Sequence, residues 1–126
     1  NLIITPSGRI LVSMDNAFSS GGGFFASDDD GSSWYQIGGG WPVEQFPGGI
    51  VIDNNNTIYA FKYSGFELGY QSIDDGDSWD AIPDEGYIND SDHSPECSLI
   101  TPSQYIFIGT WNSGIIRTAA PVVFGN

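Results

Sequence analysis

The phrase S-D-D-D-G-S-S-W runs from Ser27 to Trp34, and S-I-D-D-G-D-S-W runs from Ser72 to Trp79. Both fit the pattern Ser-x-Asp-x-Gly-x-Ser-Trp, and the second copy begins 45 residues after the first. A repeat of this period is typical of stacked supersecondary units, each of which buries an apolar face on its neighbours. We call the two phrases the first motif and the second motif.

A second repeat recurs every 48 residues and consists of two β-rich runs around a polar turn. The turns read TPSG at 5–8, DNNN at 53–56 and TPSQ at 101–104. Such a pattern is typical of a β-hairpin. The difference between the two periods predicts that the second unit is three residues shorter between its second and third strands.

The two repeats together predict short strands joined by turns, which the 17 glycines and 7 prolines also favour. The predicted strands are 2–5, 9–14, 23–27 and 33–37; 49–52, 57–63, 69–73 and 78–82; and 99–101, 105–109 and 114–118, with 122–124 as a candidate fourth. The third unit lacks the motif, since 117–124 reads R-T-A-A-P-V-V-F. Four antiparallel strands per 40–50 residues is the size of a propeller blade. We predict an all-β fold of about three β-propeller blades in an incomplete ring, a single partial domain over 1–126 with units at about 1–48, 49–96 and 97–126.

The charge balance limits the partners. Sixteen acidic residues face three Lys and Arg, for a net charge of −13. Such a surface repels phosphate backbones, which excludes nucleic acid as a partner, and no apolar run is long enough for membrane insertion. The single cysteine, Cys97, leaves no internal disulfide, and we expect it to be a small half-buried residue. An acidic chain of this kind favours a secreted, extracellular or periplasmic location.

The residue types of the motif favour a structural role. The Asp can accept backbone N–H groups inside a tight turn, and the Gly supplies a positive φ. The two Ser hydroxyls can close the loop, and the Trp is predicted to start the next strand and bury its ring between sheets. The residues concerned are Ser27, Asp29, Gly31, Ser33, Trp34, Ser72, Asp74, Gly76, Ser78 and Trp79.

Calcium binding is the alternative role of the acidic loops. The stretches 28–31 and 74–77 lack the alternating carboxylates and the distal Glu of a calcium loop. The stretch 89–92, followed by His93 and Glu96, is a weaker candidate. We predict no metal and no cofactor, and keep calcium as the alternative.

Both motifs resemble the Asp-box (BNR) repeat. That repeat is found in sialidase-like propellers, xyloglucan-active glycosidases, sortilin-type receptors and photosystem assembly factors. The resemblance covers residues 1–118, and it implies that the motif is the turn between the third and fourth strands of a blade, on the face away from any active site. Since the same repeat serves enzymes, receptors and assembly proteins, it implies little about activity.

A sialidase site can be tested by counting, because the resemblance implies three arginines on the substrate carboxylate. The chain has only Arg9 and Arg117, and Ile-Leu follows Arg9 where the family has Ile-Pro. The chain alone cannot assemble a complete sialidase site.

Other hydrolytic sites stay open. A glycosidase needs only two suitably spaced carboxylates, and the candidates outside the motifs are Asp15, Glu44, Glu67 and Asp84. A Ser-His-Asp site would have to use His93, which stands between Asp92 and Ser94, although adjacency in sequence is no evidence for a triad.

Aromatic residues outside the motifs are candidate ligand contacts, since aromatics on loops suit stacking on sugars or contact with proteins. They are Trp41, Tyr63, Phe66, Tyr87 and Trp111. Core packing between blades is the alternative role of each ring.

Two functional hypotheses follow. The first is a non-catalytic extracellular module for glycan or protein recognition or assembly. The second is a partial glycoside hydrolase, sialidase-like or xyloglucanase-like, whose remaining catalytic residues lie outside these 126. Because three blades leave sheet faces uncovered, the expected structural partner is another copy of the chain or the rest of a longer propeller.

Overall fold

The computed structural model describes residues 1–14, 23–41, 47–62, 69–82, 95–111, 114–118 and 120–122. Within these ranges the chain forms strands and turns and no helix, which confirms the all-β prediction. The strands are β1 Leu2–Ile4, β2 Ile10–Met14, β3 Gly23–Ser27, β4 Tyr35–Ile37, β5 Pro47–Ile52, β6 Ile58–Lys62, β7 Gly69–Ser72, β8 Asp80–Ala81, β9 Pro95–Ile100, β10 Ile106–Thr110 and β11 Ile115–Arg117.

The strands form three antiparallel sheets that follow the sequence repeat. Unit 1 has the order β1-β2-β3-β4, unit 2 has β5-β6-β7-β8, and unit 3 has β9-β10-β11. In each sheet, consecutive strands are hydrogen-bonded neighbours, so every unit is a meander like the blade of a propeller. Two predicted strand bounds differ clearly from the structure: β9 begins at Pro95 instead of residue 99, and Val122 is buried but lies outside any strand.

Unit 2 lies between the other two units, and both its faces are buried. One face contributes Ile50, Ile58, Ala60 and Trp79 to a cluster with Leu11 and Phe24 of unit 1 and with Trp41. The other face contributes Val51, Tyr59, Phe61 and Ile82 to a cluster with Ile106 and Ile108 of unit 3 and with Val122. The alternation of side chains along β5 and β6 explains why successive residues enter different clusters.

The three hairpin turns share one backbone conformation although their sequences differ. In each, the residue at the last turn position has a positive φ: 88° at Gly8, 64° at Asn56 and 70° at Gln104. The N–H of Asp53 donates to the carbonyl of Thr57 at 3.0 Å, and the other two turns close in the same way. The backbone geometry of the turn is therefore preserved even in Asn56 and Gln104, which adopt a left-handed conformation that favours glycine.

The structure corrects the prediction for the single cysteine. Cys97 is exposed on β9, so the prediction of a half-buried cysteine is wrong. The reason is that its side chain points away from unit 2, on the sheet face where Leu99 is also exposed.

In the part of the chain that the structure describes, no helix is long and apolar enough to cross a membrane.

Candidate functional site

The first motif forms a tight turn between β3 and β4 that is organised by the Asp29 carboxylate. The Ser27 hydroxyl and the Ser33 backbone N–H both donate to Oδ1 of Asp29, each at 2.8 Å. The Gly31 N–H donates to the Ser27 hydroxyl oxygen at 2.8 Å, and Gly31 has a φ of 91°. The hydrogen bond from the Ser33 hydroxyl is the main cause that lowers the pKa of Asp29.

The second motif repeats this turn between β7 and β8 with the same bonds. The Ser72 hydroxyl and the Ser78 N–H donate to Oδ1 of Asp74, each at 2.8 Å, and the Gly76 N–H donates to Ser72 at 2.9 Å. Partial burial raises the pKa of Asp74, but the hydrogen bonds from Ser78 and Ser72 outweigh it, so the net direction is downward. Each motif carboxylate is thus occupied by donors from its own loop.

These bonds close each turn, and they engage the carboxylate oxygens that a cation would need. Across the described ranges, no group of three or more His, Cys, Asp or Glu side chains is arranged to hold a metal ion. The stretch 89–94 lies outside the described residues.

The two motif tryptophans bond identically but differ in burial. Each indole Nε1 donates to the carbonyl of the motif glycine at 3.1 Å, Trp34 to Gly31 and Trp79 to Gly76. Trp79 is 3% exposed and stacks on Phe24 of unit 1, with ring centroids 4.5 Å apart. Trp34 is 45% exposed, so the predicted burial between sheets is wrong for this residue. The two residues differ because unit 1 covers Trp79, whereas no described unit lies over Trp34. In both motifs the strand begins one residue after the Trp.

The second motif is also part of the interface between units 1 and 2. The N–H of Gly39 donates to the carbonyl of Asp77 at 3.0 Å, and the N–H of Trp79 donates to the carbonyl of Gly39 at 2.7 Å. A Cβ added to Gly76 would lie 3.3 Å from the methyl groups of Leu11. Glycine at this position therefore lets the turn approach unit 1 closely.

An arginine at the same end of the sheets joins the two motifs. Arg9 Nε pairs with Asp28 at 2.9 Å, and its Nη1 pairs with Asp77 and bonds the carbonyl of Asp75, at 2.8 and 3.0 Å. Its Nη2 donates to the hydroxyl of Tyr35 at 3.0 Å. The Arg9 ion pair is the main cause that lowers the pKa of Asp28. Sequence reasoning missed this cluster, since the aligned residues of the other hairpins are not basic.

The Arg9 cluster bears on the enzyme hypothesis. A sialidase-type arginine must offer its donors to a substrate carboxylate, whereas four of the five N–H groups of Arg9 donate to Tyr35 and to residues of the two motifs. Arg9 is therefore a structural residue of the unit interface.

Of the candidate ligand-contact aromatics, the structure describes two. Trp41 is buried and packs edge-on against Phe24 at 4.9 Å and close to Tyr70 at 5.3 Å, so the ligand-contact prediction is wrong for it. Burial occurs because Trp41, four residues after the end of β4, packs against Trp79 in the interface of units 1 and 2. Trp111 is 76% exposed.

The position of Trp111 follows from the sheet topology. It lies just after β10 in the β10–β11 hairpin, and β10 starts beside the 101–105 turn. That turn aligns with the turn of unit 1 next to the motifs, so Trp111 is at the opposite end of the sheets. The other sequence-predicted candidates lie outside the described residues: Tyr63, Phe66, Tyr87, Asp15, Glu44, Glu67, Asp84, Asp92, His93 and Ser94.

Comparisons with known proteins identify a fold and no family. No protein-family model and no curated protein matches the chain. One similar solved structure is PorZ, an essential bacterial surface component of the type-IX secretion system of Porphyromonas gingivalis, with a TM-score of 0.64 and 14% identity. Another is a protein of unknown function from Dyadobacter fermentans DSM 18053, with a TM-score of 0.60 and 15% identity.

The chain is matched over almost its whole length but spans only part of both neighbours. The PorZ alignment covers 93% of this chain and 19% of PorZ, and the Dyadobacter alignment covers 92% and 35%. At these identities the likeness shows the fold alone. The chain is therefore similar to a part of larger proteins that are built with the same antiparallel sheets.

Proposed function

We propose that the chain is a non-catalytic recognition module of a propeller that acts outside the cell, in a secreted, extracellular or periplasmic setting, and that its ligand is a glycan or a protein. The observation that carries the proposal is Trp111, whose indole is exposed at the end of the sheets opposite the motif turns. An exposed indole at the end of a sheet strand suits stacking on a sugar ring or insertion into a protein surface.

The charge of the chain and the Arg9 cluster support a binding role. A net charge of −13 repels nucleic acid. Arg9, one of only two arginines, directs four of its five N–H donors to protein groups, two of them carboxylates that would repel an anionic substrate.

The resemblance to the Asp-box repeat and the similarity to PorZ support the extracellular setting. The resemblance implies a turn on the face away from the ligand, which agrees with a ligand at the end that bears Trp111. PorZ is a bacterial surface component of a secretion system, and it has the same fold over the length of this chain. These two likenesses favour recognition or assembly at a cell surface.

A glycan array and a pull-down of proteins from cell-surface extracts test the proposal with two variants of exposed residues. Trp111→Ala is expected to raise the Kd for the captured ligand at least about tenfold, the loss expected when one stacking contact of about 1.4 kcal/mol is removed. Ile73→Ala is the control, because Ile73 is 79% exposed but lies in the second motif turn, at the other end of the sheets from Trp111, and it should leave the Kd unchanged.

Two outcomes would contradict the proposal. Equal ligand affinity of the wild type and Trp111→Ala would show that the exposed indole is not the contact. Turnover of a glycoside that a single Asp or Glu substitution abolishes would make the chain part of a hydrolase instead.

A further inference from the structure

Unit 1 carries an uncovered apolar face. Leu2 is 66% exposed and Ile4 is equally open, and the indole of Trp34 lies half exposed beside the same sheet. The aligned residue of Leu2 in unit 2 is Ile50, which is only 7% exposed because it packs on unit 1. The same position is therefore buried in unit 2, where unit 1 covers it, and exposed in unit 1.

The correspondence holds across the whole face. Six residues of unit 1 align with six residues of unit 2. At the 48-residue offset the pairs are Leu2/Ile50, Ile4/Ile52, Ile10/Ile58 and Val12/Ala60. At the 45-residue offset they are Phe25/Tyr70 and Trp34/Trp79. All six residues of unit 2 belong to the cluster against unit 1 or pack on it. We call the six residues of unit 1 its open face. The open face has the composition of one half of a unit interface.

Unit 3 carries the other half of such an interface on its outward side. Leu99 and Ile115 are exposed there, and Phe107 lies between their strands. Leu99 and Phe107 align with Val51 and Tyr59, which unit 2 buries against unit 3. Residues at the same two alignment positions in unit 1, Ile3 and Leu11, face unit 2. We call Leu99, Phe107 and Ile115 the open face of unit 3.

We propose that the open face of unit 1 is a docking surface for a second copy of this chain, which places its own unit 3 open face there. The proposal continues the order that the molecule already shows, since unit 1 covers unit 2 and unit 2 covers unit 3 through aligned residues. Such a contact is head-to-tail, so it closes into a ring or extends, depending on the rotation between copies. The inference does not depend on the proposed function or its ligand.

Electrostatics predicts how the association responds to salt. Each copy carries a net charge of −13, so two copies repel each other while their apolar faces attract. Screening by salt weakens the repulsion and leaves apolar burial in place. The association constant should therefore rise with NaCl concentration, opposite to a contact made through ion pairs.

Sedimentation equilibrium of the wild-type chain and of three variants tests the proposal. The wild type should show concentration-dependent multiples of 13.6 kDa. Leu2→Asp on one face and Leu99→Asp on the other should each lower the association constant at least tenfold. Ile73→Asp is the control, because Ile73 is 79% exposed but lies in the second motif turn, on neither open face, and it should associate like the wild type.

Mixing the two face variants distinguishes a head-to-tail contact from other contacts. Leu2→Asp keeps an intact unit 3 face and Leu99→Asp keeps an intact unit 1 face, so the mixture should form a one-to-one dimer that neither variant forms alone. A folded wild type that stays monomeric at every concentration would overturn the proposal. So would self-association of Leu99→Asp at wild-type strength, which would mean that unit 1 faces pair with each other.

Cysteine cross-linking keeps the test decisive if a face variant does not fold. Within the molecule, Gly49 of unit 2 lies against Ser98 of unit 3, since a Cβ built on Gly49 lies 2.9 Å from the Cβ of Ser98. In the repeat, Cys97 aligns with Gly49 and Leu2 aligns with Ser98. The proposed contact therefore brings Cys97 of one copy close to Leu2 of the next. Leu2→Cys should therefore link chains through Cys97 when oxidised glutathione is added, whereas Ile73→Cys should not. Equal cross-linking of the two variants would contradict the head-to-tail arrangement.

Discussion

The first and second motifs form the same turn but lie in different surroundings. In both, the Asp carboxylate accepts the two Ser donors at matching distances, and the indole donates to the motif glycine at 3.1 Å. Trp79 nevertheless stacks on Phe24 inside the molecule, while Trp34 stays half exposed.

The difference shows that residues of the motif alone form the turn, whereas the burial of the tryptophan depends on a neighbouring unit. Eight residues contain all the donors and acceptors that close the loop. The cover over the indole comes from the preceding unit, which contributes Phe24 and Leu11 to the cluster around Trp79. In the second motif, the tryptophan therefore joins unit 2 to unit 1.

The largest expected effect separates the two tryptophans. Trp79→Ala should reduce the free energy of unfolding by about 3–5 kcal/mol, because it leaves a cavity in a buried aromatic cluster. Trp34→Ala should cost less than about 1 kcal/mol, since its ring is already half in water. Urea titration of dilute protein measures both, and equal losses would contradict the account.

The motif glycines should differ in the same direction by a smaller amount. Gly31 and Gly76 have φ values of 91° and 90°, so alanine is strained by about 1–2 kcal/mol in either turn. At Gly76 the new methyl group would also crowd Leu11 and Ile37, whereas at Gly31 the nearest atom is 3.8 Å away. Thermal unfolding should therefore show a larger loss of stability for Gly76→Ala than for Gly31→Ala. The reverse order would place the first motif, not the second, in the tighter interface.

The aspartates should show no such difference, because their bonds lie within each turn. Asp29→Asn and Asp74→Asn each convert one acceptor oxygen into a donor facing serine donors. Both variants should lower the urea midpoint by similar amounts, below the effect of Trp79→Ala. A loss confined to Asp74→Asn would mean that the turn depends on its neighbour after all.

The part of the fold that sequence could predict is the part with local causes. Alternating apolar residues and turn residues specify the strands, and the motif specifies its own hydrogen bonds. The burial of Trp34 and Trp41 differs from the prediction because it depends on which unit lies alongside, and the local sequence does not determine that. The Arg9 cluster is not visible in the repeat either, because Arg9 has no basic counterpart in the other hairpins and its partners Asp75 and Asp77 are distant in sequence.

The smallest effect concerns pH. The pKa values of Asp28, Asp29 and Asp74 are lowered in the folded chain, so the unfolded chain binds protons first. Their stabilisation is fully present above the ordinary Asp pKa of about 3.9 and is lost as the pH falls through the lowered values. The free energy of unfolding should be measured from neutral pH down to a pH below the ordinary Asp pKa of about 3.9. Over this range it should fall less in an Asp29→Asn, Asp74→Asn double variant than in the wild type. Parallel profiles would show that these carboxylates do not govern the acid response.

A double-mutant cycle between Phe24 and Trp79 tests most directly the claim that the motif tryptophan joins one unit to the unit before it. The two rings stack across the interface of units 1 and 2 at 4.5 Å. The account predicts that the losses in unfolding free energy of Phe24→Leu and Trp79→Leu are not additive, with a coupling of about 1 kcal/mol. Additive losses would contradict the claim.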